Sequence, residues 1–65
     1  MKFKTGDLVV YTMYGVSIVG KVVRVKDSSV SFRTPERQTY GADASELKRL
    51  PKQLAEDMAD IFVGI

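Results

Sequence analysis

Hydrophobic residues recur in four short runs across the first 42 positions, and each run is bounded by glycine, proline or small polar residues. Runs of this length that are rich in valine, phenylalanine and tyrosine favour β-strands. The runs span residues 3–11, 17–26, 29–33 and 39–42. Short strands joined by turns predict an antiparallel meander that curls into a small barrel.

The alternation within the runs predicts which side chains enter the core. Val30 and Phe32 share one parity of the third run, and serine and arginine take the other. In the first run we expect Val9 to point inward. Strict alternation fails in the second run, where the apolar positions change phase. This change predicts a β-bulge near Val23 or Arg24.

After the fourth run the pattern predicts a turn and a last strand. Asp43 and Glu46 have the spacing of a capping box, a small acceptor followed three residues later by glutamate. We expect one helical turn that directs Leu47 inward, and then a brief fifth strand at Lys48–Leu50 that closes the barrel. Pro51 suits the first position of a helix, where its missing N–H costs nothing.

The C-terminal segment has helical periodicity. Its apolar residues recur at spacings of three and four: Leu54, Ala55, Met58, Ile61, Phe62 and Ile65. A helix of about twelve residues is marginal alone, so this apolar stripe must dock on the barrel or on a partner. The predicted fold class is therefore mainly β, with a five-stranded barrel at residues 3–50 and an amphipathic α-helix at residues 51–65.

Cysteine and histidine are both absent from the 65 residues. The chain therefore has no disulfide, no zinc site built from Cys and His, and no histidine for acid–base or nucleophilic catalysis. The carboxylates show no spacing that pairs two of them. We expect a binding protein with no catalytic residues, no cofactor and no metal. No segment resembles a signal peptide or a membrane span, so we also expect a cytoplasmic protein without membrane contact.

Charge is distributed unevenly along the chain. Residues 1–40 carry seven Lys or Arg against three Asp or Glu, whereas residues 41–65 carry three against five. Cations attract phosphates and aromatic rings stack on bases, so nucleic acid is the first candidate partner. The candidate nucleic-acid-binding residues are Lys21, Arg24, Lys26, Arg33, Arg37, Tyr14 and Tyr40. The alternative is that these cations only keep the edges of the strands soluble.

The predicted loop Thr12–Ser17 suggests a second kind of partner, because it is apolar and carries no charge. Its side chains either fill one end of the barrel or form a recognition surface. The candidate protein-interface residues are Tyr11, Met13, Tyr14, Val16, Leu54, Met58, Ile61 and Phe62. Such a module would suit a regulator or inhibitor of a larger machine, of the kind that phages encode. A further alternative is a homo-oligomer that binds a small anion between copies through Arg33 or Arg37.

Lys4–Val10, an intervening Gly15 and then Gly20–Val25 resemble the KOW-type segment of SH3-like barrels. Ala42–Leu50 is similar to the short helical turn and last strand that close many such barrels. The resemblance covers about residues 3–50 and implies an SH3-like barrel. KOW segments usually belong to ribosomal and transcription-elongation proteins. The resemblance therefore also implies contact with RNA, with a polymerase or with another nucleic-acid-processing machine.

Overall fold

The structure is a computed structural model of the chain, and it describes residues 3–63. It is mainly β, with five antiparallel strands in one sheet and one short helix near the C-terminus. The elements are β1 (Leu8–Met13), β2 (Val16–Lys26), β3 (Ser29–Arg33), β4 (Thr39–Asp43), a 3-10 turn (Ala44–Glu46), β5 (Leu47–Arg49), α1 (Lys52–Met58) and a second 3-10 turn (Ala59–Phe62). The strand order is β4-β3-β2-β1-β5. No helix in the described range is long and apolar enough to cross a membrane.

The long strand β2 joins the two halves of the sheet. Its first half pairs with β1 and its second half with β3, and Lys21 has partners on both sides, Leu8 and Arg33. The register of β2 against β3 shifts between Val22 and Arg24. This shift confirms the β-bulge that the broken alternation predicts. An extra residue bends its strand, so β2 turns where it passes from one partner to the other.

One apolar cluster covers the inner face of the sheet. It consists of Val9, Val22, Val30, Phe32 and Leu47, all of them buried. The sequence pattern predicts that Val9, Val30, Phe32 and Leu47 point inward, and their burial confirms this prediction. Tyr11, Ile18, Val25, Tyr40 and Ala42 are partly buried around this cluster. The centre of the inner face is thus buried, and its rim is partly accessible to solvent.

The connection between β1 and β2 is shorter than the predicted loop Thr12–Ser17. Only Tyr14 and Gly15 lie outside the strands, and Met13 is paired directly with Val16. Tyr14 has a φ of 52° and Gly15 a φ of 78°. Two successive positive φ values define a type I′ turn, whose twist matches that of the flanking strands. Met13, Tyr14 and Val16 are exposed. The interpretation that this loop fills the end of a barrel is therefore wrong.

The first strand begins at Leu8, later than the predicted Phe3, because Lys4–Asp7 forms a turn. The N–H of Asp7 donates to the Lys4 carbonyl at 3.0 Å, and Gly6 adopts a φ of 99°. A residue in this left-handed region interrupts a strand, and glycine adopts it without steric cost.

The predicted capping box is confirmed at the first 3-10 turn. The Ser45 N–H donates to Asp43 Oδ1 at 3.2 Å, and the Asp43 N–H donates to Glu46 Oε1 at 3.1 Å. The turn directs Leu47 into the core, as predicted. The fifth strand spans Leu47–Arg49, so it begins and ends one residue earlier than the predicted Lys48–Leu50. The N–H of Leu50 nevertheless donates to the Leu8 carbonyl of β1 at 3.0 Å.

The C-terminal helix is shorter than the predicted twelve residues. α1 has seven residues and continues into the second 3-10 turn. Pro51 precedes the helix instead of occupying its first position. Phe62 is only 3% exposed and lines a cleft with the strand residues Leu8 and Lys21, so this segment docks on the chain's own sheet. Gly64 and Ile65, the last residues of the predicted segment, lie outside the described residues.

The predicted apolar stripe of the helix is divided in two. Ala55 and Met58 are half-buried, on the docked side with Phe62, whereas Leu54 and Ile61 are exposed. A helix of two turns presents one narrow line of side chains to a sheet this small. The wider stripe in the sequence therefore cannot be covered within the chain.

Candidate functional site

The face of β2, β3 and β4 that points away from the core is the candidate site, and we call it the outer face. Directly opposed residues on neighbouring strands lie on the same side of a sheet. Three rows of opposed residues form the outer face: Lys21–Arg33–Thr39, Arg24–Ser31–Gly41 and Lys26–Ser29–Asp43. Four of the five cations predicted to bind nucleic acid therefore share one surface.

The bulge in β2 decides this arrangement. Lys21 and Arg24 are three positions apart, and they would point to opposite faces of a regular strand. Val23 has no partner in the register, and this extra residue returns Arg24 to the side of Lys21. A local irregularity of the backbone thus gathers the cations on one face.

The cations of the outer face differ in their contacts. The Arg33 Nε donates to Thr39 Oγ1 at 3.3 Å. The side chains of Arg24 and Lys26 are exposed, and within residues 3–63 they make no hydrogen bond or ion pair. Lys21 is half-buried and lines a cleft with the C-terminal 3-10 turn. Arg24 and Lys26 are therefore the cations most available to a ligand.

The rest of the outer face is small and polar. Beside the cations lie the side chains of Ser29, Ser31 and Thr39. A Cβ added at Gly41 would meet no atom within 4 Å, so the surface is open there. Serine and threonine hydroxyls donate frequently to phosphate oxygens. The candidate set did not include these residues, although their parity, opposite to that of the buried side chains, could have identified them.

Acidic side chains lie at one end of the outer face. Asp27 is in the turn after Lys26, and Asp43 belongs to the same row as Lys26. Asp43 also accepts the hydrogen bond of the capping box. The positive charge of the outer face is therefore concentrated around Arg24 and Arg33, away from these two carboxylates.

Arg37 lies outside the three rows, in the loop between β3 and β4. Its φ is 67°, and its N–H donates to the Thr34 carbonyl at 2.9 Å. The Thr34 N–H donates to the Gln38 carbonyl at 2.8 Å and closes the loop. The exposed Arg37 therefore lies just beyond the end of β3, next to the exposed carboxylate of Glu36.

The two candidate stacking tyrosines have different surroundings. Tyr40 points inward, where its ring stacks on Phe32 at a centroid distance of 6.0 Å and its hydroxyl donates to Gln38 Oε1 at 2.8 Å. Tyr40 is therefore packed partly against the core, with its hydroxyl group at the surface. Tyr14, in contrast, is 96% exposed at the end of the β1–β2 hairpin.

We call Met13–Val16 the hairpin tip. All four of its residues are exposed, and none is charged. Tyr11, two residues before the tip, is half-buried with its ring 6.0 Å from that of Phe32. The predicted apolar surface of this region thus consists of the tip alone.

The C-terminal candidates for a protein interface are also separated by the fold. Phe62 is buried and Met58 is half-buried, so their side chains are less accessible than those of the other two candidates. Leu54 and Ile61 are exposed, and so is Val63, which the sequence interpretation did not include.

A second concave region lies between β1 and α1. An open groove of about 500 Å³ is lined by Gly6, Asp7, Leu8, Arg49, Leu50, Lys52, Ala55, Glu56 and Ala59. At its edge Arg49 Nη2 donates to Asp7 Oδ2 at 3.2 Å, and the Arg49 guanidinium lies 5.5 Å from the centre of the Phe3 ring. These contacts tie the N-terminal turn to β5, which is a structural role.

Among the described residues, no group of three or more acidic side chains is placed to hold a metal ion. Comparison of the chain with protein-family models, with curated proteins and with solved structures finds no significant match. The function must therefore be inferred from the outer face and the hairpin tip themselves.

Proposed function

We propose that this chain is a small SH3-like barrel that binds nucleic acid, as a free partner or within a nucleic-acid-processing machine, without catalysing a reaction. The fold part of the proposal is supported by the strand order, in which β1 lies between β2 and β5. It is also supported by the long bulged strand that two partners share, and by the 3-10 turn before the last strand. Small barrels use such bulges to curve a sheet.

The observation that carries the functional part is the alignment of Lys21, Arg24, Lys26 and Arg33 on the outer face. Arg24 and Lys26 have no partner among the described residues, so contact with a phosphate would not break an existing ion pair. Each phosphate that a cation neutralises releases condensed counterions, and this release drives binding.

The shape and size of the surface suit a phosphate backbone. Ser29, Ser31 and Gly41 leave room beside the cations, and hydroxyl donors are available for phosphate oxygens. With about three phosphate contacts, the affinity should fall roughly 20- to 40-fold between about 50 mM and about 200 mM salt. Contacts to phosphates fix position but carry no sequence information, so we expect weak sequence preference.

Fluorescence anisotropy with labelled oligonucleotides of about 12 nucleotides, titrated at several salt concentrations, tests this proposal. The variant Arg24→Gln with Arg33→Gln should lower the affinity and reduce the slope of log affinity against log salt by about 1.4. The matched control is Lys48→Gln with Lys52→Gln, which removes the same charge from exposed sites on β5 and α1. Equal losses in both variants, or no binding by the unmodified protein, would refute the proposal.

A protein partner is the second candidate, favoured by the exposure of Leu54, Ile61 and Val63 on the C-terminal segment. Apolar contacts are far less sensitive to salt than phosphate contacts. The molar mass in solution, measured with and without the oligonucleotide, also shows whether the chain forms a homo-oligomer.

A further inference from the structure

Tyr14 combines two unfavourable features. Its side chain is 96% exposed, and its backbone has a φ of 52°. The first position of a type I′ turn favours asparagine, aspartate or glycine, because their side chains tolerate positive φ. Inside the folded chain nothing compensates, since the Tyr14 ring makes no ring contact or hydrogen bond within residues 3–63. Strain at an exposed residue is a reason to look for a ligand.

The size and charge of the hairpin tip indicate which ligand. The tip has no charge, so it does not itself attract phosphates. One tyrosine exposes roughly 200 Å², well below the approximately 800 Å² that each partner buries in a typical stable protein interface. A single exposed ring is instead matched by a single flat group of similar size, such as a nucleobase.

We propose that Tyr14 stacks on an unpaired base of a single-stranded nucleic acid whose phosphates contact the outer face. The inference rests on the proposed function and adds the class of nucleic acid to it. In a duplex each base already stacks on its neighbours and is closed to the ring. Stacking on an aromatic side chain tolerates any base, in agreement with the weak sequence preference expected of the outer face.

The hairpin places the ring at a suitable separation from the cations. Val16 begins β2 and Lys21 is five residues further along, before the bulge, so the two are about 17 Å apart. Arg33 is directly opposite Lys21 on β3. Stacked nucleotides rise about 3.4 Å each, so about five nucleotides join the base at Tyr14 to a phosphate at Arg33. This falls within the range of site sizes of small single-strand-binding domains.

Two substitutions at residue 14 and three probes test the inference. Tyr14→Phe keeps the ring, whereas Tyr14→Asn removes it and suits the type I′ turn, so both variants should remain folded. The probes are an oligodeoxythymidylate of about 12 nucleotides, an abasic oligomer of equal length and a duplex of about 12 base pairs. The abasic oligomer keeps the phosphates and lacks the bases.

Tyr14→Asn should bind the oligodeoxythymidylate about tenfold more weakly than the unmodified chain, and Tyr14→Phe should bind it almost equally well. All three proteins should bind the abasic oligomer and the duplex with similar affinity. The chain has three tyrosines and no tryptophan, so stacking should also quench its intrinsic fluorescence, and less so in Tyr14→Asn.

The two proposals fail in different ways. If Tyr14→Asn binds the oligodeoxythymidylate as tightly as the unmodified chain does, the stacking inference is wrong and the outer face still stands. In that case an apolar pocket of a protein partner becomes the candidate binding site for the exposed Tyr14 ring. If no probe binds to any of the proteins, the proposed function is wrong, and the stacking inference is wrong with it.

Discussion

The ring of Phe32 lies directly against the backbone of Gly20, so closely that a side chain on residue 20 would overlap it. A Cβ built at Gly20 meets Phe32 Cδ2, and it lies 3.2 Å from both Phe32 Cβ and the Arg33 carbonyl oxygen. Gly20 is in β2 opposite Val9, and its buried backbone faces the core. The glycine in the middle of a strand therefore makes room for Phe32, the largest fully buried side chain among residues 3–63.

Gly20→Ala should destabilise the fold by about 1–3 kcal/mol, because the added methyl group overpacks a full core. Gly41→Ala on β4 is the matched control, since nothing lies within 4 Å of its Cβ position and its φ is not left-handed. That change should be neutral or stabilising by about 0.4–1 kcal/mol. Urea unfolding followed by far-ultraviolet circular dichroism measures both. Equal effects at the two sites would contradict the close packing of Gly20 and Phe32.

Tyr14→Asn should stabilise the fold by about 1 kcal/mol, because the left-handed conformation costs a residue with an ordinary side chain roughly 1–2 kcal/mol and asparagine less. The exposed ring of Tyr14 should contribute little in return. Tyr14→Ala keeps the backbone strain and is the control, with a change near zero. The measurement is the urea midpoint at constant slope. A large loss of stability in Tyr14→Asn would mean that the ring has contacts in the folded chain.

Phe62→Ala should destabilise the fold by about 3 kcal/mol, since it removes a buried aromatic ring from the contact between the C-terminal segment and the sheet. The neighbouring residue provides the control. Ile61 is 51% exposed, so Ile61→Ala should cost less than about 1 kcal/mol. The two thermal unfolding midpoints give the comparison. Similar values for both would show that the segment does not depend on Phe62 for docking.

Local patterns in the sequence determined much of the architecture. Alternation along a strand is a local property, and it assigned Val30 and Phe32 correctly to the core. The spacing between Asp43 and Glu46 likewise predicted the capping box, because its hydrogen bonds join residues only three apart. The existence of a bulge was also visible, since one extra residue changes the phase of the apolar positions.

Only the tertiary structure determined which side chains share the outer face, which form the hairpin tip and which part of the helical stripe is covered. Whether Arg24 shares a face with Lys21 depends on which residue of β2 loses its partner, and only the pairing with β3 settles that. The Tyr14–Gly15 turn depends in the same way on the register of β1 against β2, which makes Met13 and Val16 opposite neighbours. The division of the helical stripe depends on how much of it the small sheet can cover. In each case the deciding contact joins separate elements, and the residues of one element alone do not specify its partner.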